Sequence, residues 1–365
     1  MNTLIIADSF NNSDIFYATK VLIPDPFIYL KAKSNSYILA SELEFERIRK
    51  EISKNITVVP LENYVKKAKQ KFKNINLAAL AYLLLKEKNI KSINVPATFP
   101  TLYADFLRKQ KIKLKIRNPL FKQRIIKTQE EIKQIEKVQR VAEKAFNHAV
   151  SIIKKAKIKD NYLYHKDKKL TSEYLKKQIQ EIFSNYNLEI PEDLIISSGK
   201  DTAYPHKTGS GAIKSHAPII IDIFPRSLKT RYYTDMTRTI CKGKPKNPRM
   251  QEIYNLVKQA QEEAYKKIKS NSPASAVHNA VLKVFKKHNM EKYFIHSTGH
   301  GVGIDIHESP SISSNSKTKL KAGMIITNEP GLYIPNLGGV RLEDILLVTK
   351  TGYKNLTKLP KKLII

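Results

Sequence analysis

Apolar residues follow two different rhythms along this chain. In the first third, runs such as Leu4-Ile5-Ile6-Ala7 and Tyr37-Ile38-Leu39-Ala40 are short and continuously apolar, the mark of strands covered on both faces. Between and after them, residues 41–52, 64–72 and 77–88 read as helices, and residues 92–95 as a further strand that Pro96 ends. This alternation predicts a small α/β domain.

The rhythm changes after a basic, aperiodic stretch at residues 121–127. Thr128-Gln129-Glu130-Glu131 has the spacing of a capping box, in which each side chain satisfies the other residue's backbone N–H. Ile132, Ile135, Val138, Ala142, Ala145, Phe146, Ala149 and Ile153 then recur at three- and four-residue steps, which predicts one long amphipathic helix. We place a domain boundary near residue 124, giving domains 1–124 and 125–365. Within the second, residues 171–185 read as a helix, and residues 218–224 and 232–241 as strands joined by a connection short enough for a hairpin. Ser272-Pro273 reads as an N-cap followed by proline at the first helical position, opening a helix to about His288. Residues 293–359 are rich in strands and loops, and no repeat period is present.

Composition narrows the class. The 365 residues are 41% hydrophobic and 27% charged, a globular balance. The longest apolar stretch, Leu77 to Leu85, falls far short of the roughly 20 residues that span a bilayer. The start Met1-Asn2-Thr3-Leu4 has no basic region ahead of its apolar run, which argues against a secretory signal. With a single cysteine, Cys241, no internal disulfide is possible, so a cytoplasmic setting is expected and no membrane partner. The net charge of +32 suggests polyanions, but it comes from 54 lysines against 11 arginines spread along the whole chain. Such a distribution describes a solvated surface rather than a phosphate-reading patch, and implies only weak, nonspecific polyanion adhesion at low salt.

The chemistry concentrates in the second domain. Asp222 and Asp235 stand inside otherwise apolar strands, where an uncompensated charge is costly. In a hairpin centred near Leu228 and Lys229 they would lie almost opposite each other, an arrangement that repels unless a divalent cation lies between them. Further on, Gly299-His300-Gly301 sets an imidazole between glycines, which let the backbone approach a ligand closely. His307-Glu308, Asn328-Glu329-Pro330-Gly331 and Arg341-Leu342-Glu343-Asp344 follow. Each alone has a structural explanation, such as a capped turn, a core histidine or an Arg341–Glu343 pair. Their order together points to a metal centre.

That order, Asp222, Asp235, His300, Glu329, Glu343, with the strings TDMTRT, GHGVG, NEPGLY and RLED, closely resembles the pita-bread metallopeptidases, in the branch of aminopeptidase P and prolidase. The likeness covers nearly the whole chain, because the first domain, with Ser13-Asp14-Ile15-Phe16-Tyr17, resembles the N-terminal domain of creatinase-type relatives. It implies an α+β protein: a C-terminal pita-bread fold preceded by a smaller α/β domain. It also implies two divalent ions per subunit, manganese first with cobalt or zinc as substitutes. Asp222 would hold one ion, His300 and Glu329 the other, and Asp235 and Glu343 would bridge them. The implied activity is hydrolysis of the Xaa-Pro bond of peptides with proline at the second position, in a homodimer, by attack of hydroxide shared between the two metals. Glu329 would take the water's proton. His307 resembles the histidine that steadies the tetrahedral intermediate, and His206 the one that contacts substrate and assists the leaving nitrogen. His296 has a counterpart near the substrate, and Arg341 would either orient a bridging carboxylate or catch a peptide carboxylate. Many of these relatives carry glycine two residues after the first aspartate; this chain has Phe224. Two alternatives stand beside the peptidase: a metal-free creatinase-like hydrolase, and a non-enzymatic binding protein that uses its basic surface.

Overall fold

The computed structural model describes residues 2–365, and the chain divides into two compact units, Met1–Lys122 and Gln123–Ile365. The first unit is built on a six-stranded sheet. Its strand order across the sheet is Ile56–Pro60, Asn35–Ala40, Phe27–Ala32, Thr3–Ala7, Ser92–Pro96 and Lys113–Arg117. Thr3–Ala7, Phe27–Ala32 and Asn35–Ala40 run antiparallel in succession, and the other pairings are parallel. The continuous apolar run at the start is explained by alternation: Leu4 and Ile6 enter one core, and Ile5 enters another. Both faces are therefore covered, and no polar side is needed. The helix Leu77–Glu87 starts where the Asn76 side chain accepts from the Ala79 N–H, and seven of its residues are buried. The helix expected over residues 64–72 is instead Glu62–Lys69.

The second unit opens on the expected long helix, Gln129–Lys155. Its capping box is complete, because the Glu131 N–H donates to Thr128 Oγ1 and the Thr128 N–H to Glu131 Oε2. All eight apolar positions read from the sequence are buried. This helix and Ser172–Asn185 pack against a three-stranded antiparallel sheet in the order Ile195–Ser198, Ile219–Ile223, Met236–Ile240. A second pair of helices, Arg249–Tyr265 and Ala274–Lys287, shares a core with residues of the strands that follow them. Those strands form a five-stranded sheet ordered Glu308–Ile312, Gly299–Gly301, Ile325–Asn328, Asp344–Val348, Tyr353–Asn355, and the ribbon Gly331–Ile334 with Gly338–Arg341. Each half thus lays two helices on antiparallel strands.

Two local expectations change. The Asp222 and Asp235 strands are antiparallel neighbours, but Asp222 faces Thr237, and Asp235 lies just outside the ladder that begins at Met236. The connection is no tight hairpin. Its Arg226–Ser227 segment pairs with Leu188–Glu189, and Arg226 and Arg231 both donate to Glu189, which draws the loop out and moves the register by two residues. A two-residue shift preserves the face, so Asp235 stays on the side of Thr237. At the second change, Pro273 is itself the cap residue of the Ala274–Lys287 helix. Ser272 accepts from the Leu320 N–H and Pro273 bridges Lys319, which holds both residues in extended chain.

Candidate metal centre and active site

The cavity of the second unit, about 890 Å³, is lined by every site residue singled out in the sequence: His206, Asp222, Asp235, His296, His300, His307, Glu329, Arg341 and Glu343. They arrive from separate elements. Asp222 comes from the strand Ile219–Ile223, and His300 from the strand Gly299–Gly301, while Glu329 and Glu343 leave the ends of strands. His206 and His307 lie on loops that open onto the cavity.

The acids are held by a ring of hydroxyl and guanidinium donors. Arg341 Nη2 donates to Asp222 Oδ2 at 2.6 Å, and Arg341 Nε donates to Thr237 Oγ1 at 3.1 Å. Thr237 in turn donates to Glu343 Oε2 at 2.8 Å, and Thr327 Oγ1 donates to Glu329 Oε1 at 3.2 Å. His300 Nε2 lies 3.3 Å from Glu329 Oε1 and 3.6 Å from Asp235 Oδ2. Its other ring nitrogen, Nδ1, is 3.1 Å from the Gly301 carbonyl, which can only accept, so Nδ1 carries the hydrogen and Nε2 faces the acids.

Electrostatics show what this arrangement lacks. Burial, together with the neighbouring Asp222 charge, pushes the Asp235 carboxyl well above its ordinary range. Burial and Asp235 do the same to Glu343. Burial opposes ionisation of His300, yet its hydrogen bond to Glu329 and the surrounding carboxylates bring it up to about 9. Burial likewise opposes ionisation of Glu329, but His300 brings it down to about 2. Four carboxylates therefore share one imidazolium and one guanidinium. Asp222 Oδ1 and Glu343 Oε1 are buried with no hydrogen-bond partner among the described residues. Ligand atoms of Asp235, His300 and Glu343 lie within 4.8 Å of one another. Orphaned carboxylate oxygens beside an imidazole nitrogen, in mutual repulsion, fit a hard or borderline divalent cation.

The glycines around His300 serve the sheet rather than a ligand. A Cβ at Gly299 would stand 2.2 Å from the Thr327 carbonyl oxygen, and one at Gly301 2.3 Å from that of Ser309. Close strand approach sets the imidazole's place. Arg341 is buried, and each of its three guanidinium nitrogens donates to a protein partner.

Sequence reasoning missed Tyr333. Its hydroxyl accepts from Arg341 Nη1 at 2.8 Å and lies 2.9 Å from His296 Nε2. His296 Nδ1 faces the Ser297 carbonyl, so Nδ1 donates, Nε2 accepts, and Tyr333 donates to it. Arg341, Tyr333 and His296 thus form one directed chain. Alternation within NEPGLY and the glycine opposite were the available signals: Tyr333 pairs with Gly339, where a Cβ would stand 2.8 Å from its ring. Arg238 and Asp344, from the strings TDMTRT and RLED, form a buried pair at 2.6 Å under the site instead of lining it.

Residues 133–350, which hold every acid and histidine of the site, match metallopeptidase family M24. The chain belongs to metallopeptidase family M24. This family member is 36% identical over 282 residues to the Xaa-Pro dipeptidase of Pyrococcus furiosus, which covers 76% of each chain. It is 34% identical over 328 residues to the Xaa-Pro dipeptidase of Pyrococcus horikoshii, 88% of this chain and 84% of that one. Among solved structures, the prolidase from Pyrococcus furiosus superposes with a TM-score of 0.81 at 30% identity, covering 99% of this chain and 97% of that chain. The Xaa-Pro dipeptidase from Bacillus anthracis gives 0.84 at 25% identity, covering 100% and 95%. The M24 protein accordingly has the α+β architecture expected from its sequence, a pita-bread fold preceded by a smaller α/β unit. Among the described residues, no helix is long and apolar enough to cross a membrane.

Proposed function

We propose that this protein hydrolyses the Xaa-Pro bond, with Xaa-Pro dipeptides as its first substrates. The observation that carries the reading is the convergence of four carboxylates and three histidines beside His300 on one cavity, in a chain similar over most of its length to proteins named Xaa-Pro dipeptidase. Asp222 would hold one divalent ion, His300 and Glu329 a second, and Asp235 and Glu343 both. When bound, such ions polarise a scissile carbonyl and acidify water. The chain's own groups supply the rest. Glu329 would take up the proton that water loses. His307, whose ring lies edge-on to His300 at 4.3 Å between centroids, would donate to the oxyanion. His206 stands at the exposed rim, where a substrate's leaving nitrogen can reach it. His296, whose ionisation burial opposes and whose Nε2 accepts from the Tyr333 hydroxyl, would contact substrate. Manganese as the native ion, a homodimer, a cytoplasmic setting consistent with the free, buried Cys241, and salt-sensitive polyanion adhesion belong to the same reading.

The test is to strip the purified protein of metal, reload it with manganese, cobalt or zinc in turn, and assay Xaa-Pro dipeptides beside Xaa-Pro-Xaa tripeptides and longer peptides. Metal-dependent cleavage before proline is expected, fastest on dipeptides. Preference for longer peptides would make it an aminopeptidase, and no cleavage with any metal would favour the creatinase-like or binding readings.

A further inference from the structure

His307 sits on a stretch, residues 302–307, without strand or helix, and no hydrogen bond holds its ring among the described residues. A side chain that must meet a developing charge to within a fraction of an ångström needs some other support. The structure offers one. Glu308, the next residue, folds its carboxylate back under Gly303, so closely that a Cβ there would stand 2.4 Å from Glu308 Oε1. That carboxylate is gripped from far along the chain: Lys127 Nζ donates to Oε1 at 2.5 Å, and Arg124 Nη2 to Oε2 at 3.0 Å. The same Arg124 nitrogen donates to Asp305 Oδ2 at 2.6 Å, on the other side of the His307 position. The Lys127 side chain is only 1% exposed, and its backbone N–H is fixed to the Gly323 carbonyl at 2.8 Å.

Burying an ammonium and a guanidinium stabilises a fold poorly compared with apolar packing, so geometry accounts for this cluster better than stability does. We propose that Arg124 and Lys127 are positioning residues for catalysis: by clamping Asp305 and Glu308 they fix the loop between them and set the His307 imidazole at its working place. The inference rests on the reading of this cavity as a peptidase site. Gly303 belongs to the same device, because only glycine leaves room for the clamped carboxylate.

The decisive experiment combines K127M with H307A. With an Xaa-Pro dipeptide, K127M and E308Q are expected to lower kcat about tenfold with KM within about twofold, since small misplacements of a catalytic group cost rate. K127R should recover part of the loss, and G303A, which displaces the carboxylate without touching either cation, should reproduce it. In the H307A background, K127M should cost nothing further. An unchanged kcat in K127M, or the same fold-loss in the H307A background, would overturn the proposal by making the cluster a structural tie. Amide hydrogen exchange of residues 302–308 reads the clamp without turnover and is expected to speed up in K127M. If the wild type cleaves no Xaa-Pro substrate, the functional reading fails by itself; unaltered exchange in K127M would then remove the clamp too.

Discussion

Asp235 shows how a single residue is defined by what surrounds it. Its carboxylate shares a cavity with Asp222, Glu329 and Glu343, and its ionised state is disfavoured first by burial and then by Asp222. Replacing it with alanine removes a repulsive charge from the metal-free fold and a proposed ligand from the loaded one. Loss of a group that merely supports ligands costs roughly 10–100-fold, so D235A is expected to lose at least about a hundredfold in turnover and to bind less metal. Its thermal unfolding without metal should match or exceed wild type. Turnover and metal content measured on the same preparation check this, and unchanged turnover would remove Asp235 from the ligand set. His206 differs in kind, because it stands at the exposed rim. H206A is expected to lower kcat roughly 100-fold, the scale of lost proton transfer, with metal content intact; normal kinetics would make it a bystander.

At the level of elements, the site depends on strands that carry acids inward and on helices that cover their backs. The helix Gln129–Lys155 covers the three-stranded sheet that holds Asp222, and its start is fixed by Thr128 and Glu131, with Tyr232 donating to the same glutamate at 2.6 Å. Removing the cap's hydroxyl in T128A should cost about 1 kcal/mol, or about 2–4 °C in melting temperature for a unit of this size. Calorimetry checks the shift, and kcat at 25 °C is expected to stay at the wild-type value. The change of register between the Asp222 and Asp235 strands belongs to this scale as well. Arg226 and Arg231 anchor the connection on Glu189, so the ladder begins two residues later than a tight turn would place it. Because the shift is even, both acids keep their face, and the chemistry survives an error in register that an odd shift would have made fatal.

For the whole molecule, the metal centre is also a stability device. Without a cation, four carboxylates are collected around one imidazole and one guanidinium, and two carboxylate oxygens lack partners. A ligand at 100 times its dissociation constant adds about 2.7 kcal/mol to the native state. Stripping metal should therefore lower the melting temperature, and manganese should restore it even where no substrate is present. Equal melting curves with and without added divalent ion would argue against a resident metal.

The limits of sequence reading follow from range. Capping boxes, amphipathic faces and buried strands are written in neighbours one to four residues apart, so Thr128, the apolar stripe from Ile132 to Ile153 and the run Leu4-Ile5-Ile6 declare themselves. The order of acids and histidines does the same for the family and the candidate ligands. Only the tertiary structure decides which partner each of these residues meets. Arg341 reaches Asp222 across 119 positions, Lys127 reaches Glu308 across 181, and Tyr333 takes its place because Gly339 leaves room for its ring. Such contacts are fixed by packing of distant strands, with no local signal strong enough to choose among several possible partners. The sequence by itself determined the kinds of group brought to the cavity; the fold determined which donors hold them, which oxygens remain unpaired, and how the loop of His307 is fastened.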